Sequence, residues 1–377
     1  MKYVNLLIKP ASSLCNMRCA YCFYADESEH RMLKSMGVMT RETARELIDA
    51  AFSALDGRGG VSFSFQGGEP TMAGLPFFRS FMEMAETRNT NRVPVHYAMQ
   101  TNGLNINGEW VEFLRKNRFL VGVSVDGDQA LHDSFRHDAQ GKGTYRQVTE
   151  AVGLLMDAGV DTNLLCVVNG RTADRPKQVY RALKKLKTGF LQFIPCLDPL
   201  ETPRGSMPWS LKPEAYGRFL CGVFDEWYKD WDRGQYVSVR QFDDWVHAAM
   251  GIPPGTCASC GQCGGYLVSE ADGGLYPCDF YVLDDWKLGT VNDDLNTLFR
   301  SERMLSFQRR SSVKPADCRS CPYYPVCRGG CPRDWDTIQG ETRNYFCPAF
   351  RMLFSYAGNR IFRIAQMETA ARRSLRE

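Results

Sequence analysis

The sequence predicts an α/β fold in which an incomplete barrel of six parallel strands is followed by a smaller, cysteine-rich part. Short β-branched or aromatic runs alternate with amphipathic segments of helical length through the first half of the 377 residues. Such alternation is typical of repeated βα units around a parallel sheet. Nine of the fifteen cysteines then crowd between Cys257 and Cys347. Six units indicate a (β/α)6 barrel, which leaves a lateral opening that a closed eight-stranded barrel lacks.

The individual elements follow from these periodicities. Predicted strands cover residues 4–8, 61–65, 95–99, 120–124, 163–168 and 190–194. Predicted helices cover residues 41–55, 75–87, 109–116, 145–158 and 175–185, with two more near 214–232 and 349–372. Polar or glycine motifs follow several strands, and that edge of a parallel sheet usually carries the ligands.

Size and composition set the domain count and exclude some partners. The pattern changes from βα repeats to Gly, Cys and Pro near residue 235, so we expect two domains, 1–235 and 236–377. The net charge is +3 without a long basic run, which argues against nucleic acid as a partner. No signal peptide or apolar run of membrane-spanning length is evident, so we expect a cytoplasmic protein without a membrane partner. Cysteines in that compartment serve as metal ligands more often than as disulfides.

The first cysteines form a closely spaced trio. Cys15, Cys19 and Cys22 have the spacing C-x3-C-x2-C, directly after the first strand. Three thiolates can hold three irons of a [4Fe-4S] cluster and leave the fourth iron open to a substrate. The alternatives are a three-cysteine zinc site and ordinary core thiols. A glycine-rich segment, 67–70, follows the second strand.

This combination resembles the radical S-adenosylmethionine (SAM) superfamily. The resemblance implies that the open iron binds SAM and that one electron from the cluster cleaves it to a 5′-deoxyadenosyl radical. The C-terminal spacing C-x2-C-x5-C-x3-C, with Cys347 beyond it, resembles the SPASM domain, an iron–sulfur extension with two auxiliary [4Fe-4S] clusters.

The SPASM resemblance implies a ligand set for each auxiliary cluster. The first would be held by Cys257, Cys263, Cys278 and Cys331, and the second by Cys318, Cys321, Cys327 and Cys347. Cys260 is a ninth cysteine, which we expect to be a spare, although it could exchange with Cys257 or Cys263. Structural zinc sites are the alternative for these cysteines.

Several segments resemble the anaerobic sulfatase-maturating enzymes, including residues 8–13, 22–24, 65–71 and 276–283. That family oxidises a cysteine or serine of a sulfatase to Cα-formylglycine without oxygen, after the radical removes a Cβ hydrogen. The resemblance implies SAM contacts at Tyr21, Gly68, Ser124, Arg136 and Leu197. Ser124 could instead be a strand-end cap.

The same resemblance assigns the catalytic base to Asp279, which adjoins Cys278. An ionised carboxylate can accept the proton that the oxidation releases. The alternative for Asp279 is a local cap or an ion pair. Weaker candidates for gripping the peptide backbone are Gln66, Gln100, Tyr24 and Arg240.

The expected partners are an unfolded or nascent sulfatase segment with the motif Cys/Ser-x-Pro-x-Arg and a flavodoxin- or ferredoxin-type reductant, and we expect a monomer. The nearest alternative is a radical SAM maturase of ribosomal peptides that forms thioether or other cross-links. Many such maturases carry a leader-binding domain before the barrel, and none precedes the first strand here, which favours the sulfatase interpretation. A non-catalytic iron–sulfur electron carrier is a third hypothesis, but a carrier needs no SAM pocket. The preference for cysteine or serine is left open.

Overall fold

The computed structural model describes residues 1–57, 59–338 and 340–374. It confirms the six predicted strands, each with ends within two residues of the prediction. These strands are β1 (Tyr3–Ile8), β2 (Gly60–Phe65), β3 (Val95–Thr101), β4 (Leu120–Ser124), β5 (Thr162–Val168) and β6 (Phe190–Pro195). They pair in chain order and are all parallel, so their carboxyl ends meet at one edge.

The α-helices surround this sheet and cover the C-terminal part. They are α1 (Phe23–Glu29), α2 (Arg41–Ser53), α3 (Leu75–Arg88), α4 (Gly108–Lys116), α5 (Gln129–His132), α6 (Tyr145–Asp157), α7 (Gly170–Ala173), α8 (Pro176–Lys184), α9 (Pro213–Asp232), α10 (Arg240–Ala249), α11 (Cys257–Cys260), α12 (Leu295–Phe299), α13 (Glu302–Ser312), α14 (Tyr324–Cys327) and α15 (Cys347–Ser374). Short 3-10 helices span Pro70–Ala73, Asp279–Tyr281, Asp284–Trp286, Ala316–Cys318 and Pro332–Asp334.

Side-chain alternation along the strands separates a core from a polar interior. Phe63 and Phe65 of β2 are fully buried and pack edge-to-face against Phe81 of α3. Ser64, between them, points to the opposite face and lines an internal cavity. Because successive strand residues face opposite sides, the same strands build both the hydrophobic core and the polar walls of the barrel.

The C-terminal residues extend the sheet at both edges. β7 (Ser238–Val239) pairs with β6, while β8 (Leu267–Ser269) pairs with β1 and is followed by β9 (Gly274–Tyr276) and β10 (Gly289–Thr290). The sheet order is β10-β9-β8-β1-β2-β3-β4-β5-β6-β7. A separate hairpin consists of β11 (Trp335–Ile338) and β12 (Glu341–Asn344). The domain boundary near residue 235 stays a prediction, because strands from both sides of it share one sheet.

The last helix, α15, packs lengthwise against α9 and also contacts α10. Tyr356 and Arg360 of α15 both bond to Asp225 of α9, which fixes the two helices side by side. In the described part of the chain, no helix combines the length and apolarity needed to cross a bilayer.

Candidate active site

The predicted front residues meet in one cavity at the carboxyl ends of the strands, which we call the cysteine chamber. Its walls include Cys15, Cys19, Cys22, Tyr21, Gly68, Ser124, Arg136 and Leu197. The cysteines and Tyr21 come from the loop after β1, and the other residues come from the ends of β2, β4 and β6 or the segments beyond them. The structure therefore brings together residues that span more than 180 positions of sequence.

Glycines allow the loop after β2 to lie directly on the cysteine loop. The Gly68 N–H donates to the Ser12 carbonyl at 2.9 Å, and the next N–H, of Glu69, donates to the Leu14 carbonyl at 2.8 Å. A Cβ at Gly68 would overlap the backbone of Ser13 and Leu14. Gly67 has a φ of +116°, a conformation that favours glycine. The absence of a side chain at Gly68 is therefore what lets the two loops pack backbone against backbone in the wall of the cysteine chamber.

Glu69 fixes this loop to the next strand. Its carboxylate accepts hydrogen bonds from Thr71, from the Thr101 hydroxyl at 2.8 Å and from the Asn102 backbone N–H at 2.7 Å. Asn102 in turn donates its side-chain amide to Cys15 Sγ at 3.7 Å. Burial raises the pKa of Glu69, and these hydrogen bonds oppose the shift. A buried carboxylate thus orients one wall of the cysteine chamber.

Asp126 has the same role on the opposite wall. It accepts from the Tyr21 hydroxyl and from Arg136 Nε at 2.8 Å, while its other oxygen accepts from the Val167 backbone N–H. Arg136 also lies 3.9 Å from Cys19 Sγ. Burial raises the pKa of Cys19 to about 12, and Arg136 opposes this shift. Arg136 therefore supplies positive charge beside a thiol that iron would bind as thiolate.

Asp279 lines a second cavity inside the barrel, the inner chamber, together with Ser64, Gly122, Asn163 and Arg240. The two chambers share wall residues: Phe23, Gln66, Gln100, Leu165, Ile194 and Phe280. The two chambers are therefore adjacent.

The carboxylate of Asp279 is buried, with 5% of the residue exposed. Its Oδ2 accepts hydrogen bonds from the Tyr24 hydroxyl at 2.6 Å and from Gln66 Nε2 at 3.3 Å. Its Oδ1 lies 3.6 Å from Lys9 Nζ and accepts no hydrogen bond from the described residues. Burial raises the pKa of Asp279, whereas Lys9 and Tyr24 favour the ionised form. Tyr24 and Gln66, which sequence analysis ranked as weaker candidates, thus lie directly on this carboxylate.

A buried ion pair lies behind Asp279. Lys9 follows β1 and is 2% exposed; its Nζ donates to Glu27 Oε2 at 3.1 Å and lies over the Tyr24 ring. Burial raises the pKa of Glu27 to about 7, partly opposed by Lys9. Sequence analysis missed both residues. The only local signal was a lysine directly after a buried strand, and its partner lies on a different element.

The C-terminal cysteines form two groups. The first C-terminal group consists of Cys257, Cys263, Cys278 and Cys331. Burial is the main cause of the raised pKa of Cys331, and Cys278 and Cys257 raise it further, so these three thiols are neighbours. Cys263 acts in the same way on Cys257. Cys260 also contributes to the raised pKa of Cys257, and it donates its thiol to the Pro254 carbonyl at 3.2 Å.

The second C-terminal group lines one cavity. Its members are Cys318, Cys321, Cys327 and Cys347. Burial raises the pKa of Cys327 to about 12, with the other three thiols contributing in the same direction. All fifteen cysteines of the chain are free of disulfides.

The donor sets fit iron–sulfur clusters. Sulfur ligands occur as one trio and two groups of four, and a [4Fe-4S] cluster takes one thiolate on each ligated iron. Such ligands surround a volume. In residues 1–57, 59–338 and 340–374, no group of three His, Cys, Asp or Glu side chains is arranged to hold a single metal ion. A trio of thiolates would leave one iron of such a cluster without a protein ligand.

Comparison with known proteins agrees with this geometry. The sequence model of the Radical SAM superfamily matches residues 10–183, and that of an iron–sulfur cluster-binding domain, SPASM, matches residues 253–322. The chain is 41% identical to the cysteine-type anaerobic sulfatase-maturating enzyme of Clostridium novyi, over 94% of this chain and 95% of that protein. The chain belongs to the anaerobic sulfatase-maturating enzymes. It is therefore a radical SAM oxidoreductase, with [4Fe-4S] clusters and SAM as cofactors.

Other members of this family cover the chain to a similar extent. The serine-type enzyme of Bacteroides thetaiotaomicron is 32% identical over 94% of this chain and 89% of that protein. A solved structure, native anSMEcpe with bound AdoMet and Cp18Cys peptide, superposes with a TM-score of 0.91 at 39% identity, covering 97% of this chain and 99% of that one. The predicted fold class, a partial (β/α)6 radical SAM barrel with a SPASM domain, is confirmed.

Proposed function

We propose that this enzyme oxidises a cysteine or serine of a sulfatase segment to Cα-formylglycine without oxygen. The observation that carries the proposal is the position of Asp279, a buried carboxylate in a chamber that shares walls with the cysteine chamber. Relatives at 39–41% identity are named cysteine-type sulfatase-maturating enzymes. Serine-type relatives are less similar, at 30–32%, so cysteine is the substrate to test first.

In this proposal the cysteines divide among three clusters. Cys15, Cys19 and Cys22 hold the open cluster, and the two C-terminal groups hold the auxiliary clusters. When bound, the open cluster and SAM supply the one-electron chemistry that removes a hydrogen atom from Cβ of the substrate. The residues that contact SAM are Tyr21, Gly68, Ser124, Arg136 and Leu197. Their shared support is that all line the cysteine chamber.

Asp279 then acts as the base. Oxidation to the aldehyde level also removes a proton, and Oδ1 of Asp279 is a buried acceptor without a hydrogen bond. Tyr24 and Gln66 hold the other oxygen, so the carboxylate cannot rotate freely. Lys9 favours the ionised form that a base requires. Cys278 directly precedes Asp279. It would therefore place an auxiliary cluster near the substrate, where the cluster can accept the electron that the oxidation also releases.

The finer assignments belong to the same proposal. Residues 1–235 would form the radical SAM barrel and residues 236–377 the SPASM domain with α15. A single chain lines both chambers, which favours a monomer. Fifteen unpaired cysteines suit the reducing cytoplasm.

Two partners also belong to the proposal. The first electron would come from a flavodoxin- or ferredoxin-type donor, and the substrate would be an unfolded or nascent segment with the motif Cys/Ser-x-Pro-x-Arg.

The deciding experiment uses the anaerobically reconstituted protein, SAM, a chemical reductant and a Cys-x-Pro-x-Arg peptide carrying deuterium at Cβ of the cysteine. We expect the product to lose sulfur, gain oxygen and react with a hydrazine, and the deuterium to appear in 5′-deoxyadenosine. Mass spectrometry follows both products. Deuterium transfer from Cα, or a product that retains sulfur in a cross-link, would replace this function with the peptide cross-linking alternative.

A further inference from the structure

Two cations lie at the C-terminal end of α13, close to the C-terminal cysteine groups. Arg310 belongs to the last turn of this helix, and Lys314 follows the helix end by two residues. Both side chains are half-buried. Among the described residues their hydrogen-bond partners are neutral: the Tyr281 hydroxyl for Arg310 and the Gly261 carbonyl for Lys314. Neither charge is therefore neutralised by an ion pair within that part of the chain.

Aromatic rings hold Arg310 beside the first C-terminal group. Its guanidinium carbon lies 4.3 Å from the centroid of the Tyr281 ring and 5.2 Å from that of Trp286. The next residue, Ser311, accepts a hydrogen bond from the Cys263 N–H at 2.9 Å, which ties the cysteine loop to this turn of the helix. Arg310 Nη1 is shielded from solvent and has no hydrogen-bond partner among the described residues. A shielded N–H needs an acceptor, and sulfur bound to iron beside Cys263 would supply one.

Lys314 lies between the two C-terminal groups. Its Nζ donates to the carbonyl of Gly261, two residues before Cys263 of the first group. A Cβ at Gly329 would lie 3.5 Å from Lys314 Cδ and 3.6 Å from Cys318 Sγ, so the lysine also passes close to the second group. Burial lowers the pKa of Lys314, and thiols from both groups oppose this shift. One ammonium group therefore faces both sets of cysteines.

Other charges near the cysteines do not neutralise these two cations. Arg351 adds a further positive charge near Cys347 of the second group. Three nearby carboxylates each face a different basic side chain. The pairs are Asp279 with Lys9 at 3.6 Å, Asp317 with Arg343 at 3.8 Å, and Asp334 with Arg204 and Arg333, which oppose the rise in pKa that burial causes. Half-buried charges need an opposite charge nearby, and a cluster held by four thiolates is anionic.

We propose that Arg310 and Lys314 neutralise part of the charge of the auxiliary clusters and so raise their reduction potentials, Arg310 that of the first cluster and Lys314 those of both. The inference deepens the proposed function and rests on its division of the cysteines among clusters. A cluster becomes more negative when it takes up one electron, so a fixed positive charge beside it favours the reduced form. A higher potential makes the auxiliary clusters better acceptors of the one electron that the substrate releases after the hydrogen atom has left.

The test is a redox titration of the reconstituted clusters, followed by electron paramagnetic resonance. In the full chain, changing the N-terminal cysteine trio to Ala leaves the two auxiliary clusters as the source of the signal. Changing Cys318, Cys321 and Cys347 to Ala as well removes the second cluster, which assigns each midpoint potential to its own group. Iron content per chain shows how many clusters each variant holds.

We expect a different pattern for each cation. Arg310→Gln should make reduction of the first cluster about tenfold less favourable, a fall of about 59 mV for one electron, with little change in the second. Lys314→Gln should lower both potentials. Arg310→Lys and Lys314→Arg keep the charge and should restore most of the potential. Arg309→Gln is the matched control, because Arg309 is the exposed neighbour on α13, pairs with Glu302 and should move neither potential.

The outcomes separate this inference from the function on which it rests. Unchanged potentials in Arg310→Gln and Lys314→Gln, or equal shifts in Arg309→Gln, would overturn the inference. Iron loss in the Gln variants alone would support it, since only the charge-keeping variants would then hold their clusters. Equal iron loss in the charge-keeping variants would reduce both residues to packing and overturn it as well. If the unchanged chain binds far less than about 12 iron atoms, the division into three clusters has failed instead.

Discussion

The cysteine chamber and the two C-terminal cysteine groups are proposed to hold the same kind of cofactor, yet they are built differently. Around the chamber, buried carboxylates at strand ends hold the walls: Glu69 accepts from Thr71, Thr101 and Asn102, and Asp126 accepts from Tyr21 and Arg136. The ends of the parallel strands therefore shape this site.

The C-terminal groups depend on short elements instead. Several of their cysteines lie on the one-turn helices α11 and α14, while Cys278 follows the short strand β9 and Cys347 begins α15. Backbone carbonyls rather than buried carboxylates accept here: Trp335 of β11 and Asn344 of β12 both donate to the Gly329 carbonyl. Hydrogen bonds to strand-end carboxylates thus orient the walls around the SAM site, whereas we expect the clusters themselves to complete the C-terminal part, as in other small metal-organised domains.

The largest effect should come from removing the front cysteines, compared with removing one C-terminal group. Changing Cys15, Cys19 and Cys22 together to Ala should remove about a third of about 12 iron atoms and abolish SAM cleavage. Changing Cys318, Cys321 and Cys347 to Ala is the matched control. It should remove a similar share of iron but leave SAM cleavage measurable by 5′-deoxyadenosine formation. SAM cleavage by the first variant would contradict the open-cluster assignment.

The next effect separates radical formation from proton removal. Asp279→Asn keeps the shape of the side chain but removes its basicity, so aldehyde formation should fall by about 10²–10⁴-fold. Deoxyadenosine formation should continue, because the cysteine chamber is unchanged. The ratio of the two products measures this uncoupling. A near-normal aldehyde yield would transfer the role of base to another group.

A smaller effect tests preorganisation by the barrel. In Glu69→Gln, one end of the side chain becomes a donor that faces other donors, which should reduce the free energy of unfolding by about 1–3 kcal/mol and weaken SAM binding. Glu83→Gln, on the exposed face of α3, is the control. Denaturation and SAM titration measure the two effects. Unchanged SAM affinity would mean that Glu69 does not shape the chamber.

The smallest effect concerns Glu27. Burial raises its pKa to about 7 from an ordinary value of 4.5, so the folded protein binds this proton more tightly than the unfolded chain does. The resulting stabilisation is complete below the unfolded pKa and is lost as the pH rises through the folded one. Between about pH 5 and about pH 8, Glu27→Gln should therefore lose less stability than the unchanged protein. Equal slopes in denaturant titrations would contradict the raised pKa.

Much of the site was predictable because its signals are local. The trio spacing at Cys15, the glycines at 67 and 68 and the polar residues after strands all appear within a few positions of one another. Even the partners of Glu69 lie at the ends of neighbouring strands, which sequence analysis had marked as motif positions. These motifs could not reveal that Glu69 and Asp126 accept hydrogen bonds from other residues in the wall of the cysteine chamber.

By itself, the sequence determined the repeated βα units, the positions of the cysteines and the carboxylate next to Cys278. Tertiary structure alone decided which groups meet. Tyr24 and Asp279 are 255 residues apart and share a hydrogen bond. Lys9 donates a hydrogen bond to Glu27 on another element. The missing side chain of Gly122 leaves room for Gln100 and Asn163 of the two neighbouring strands. Spacing along a chain specifies contacts within an element, but contacts between elements depend on strand register and on burial, which excludes water and makes each unpaired group costly.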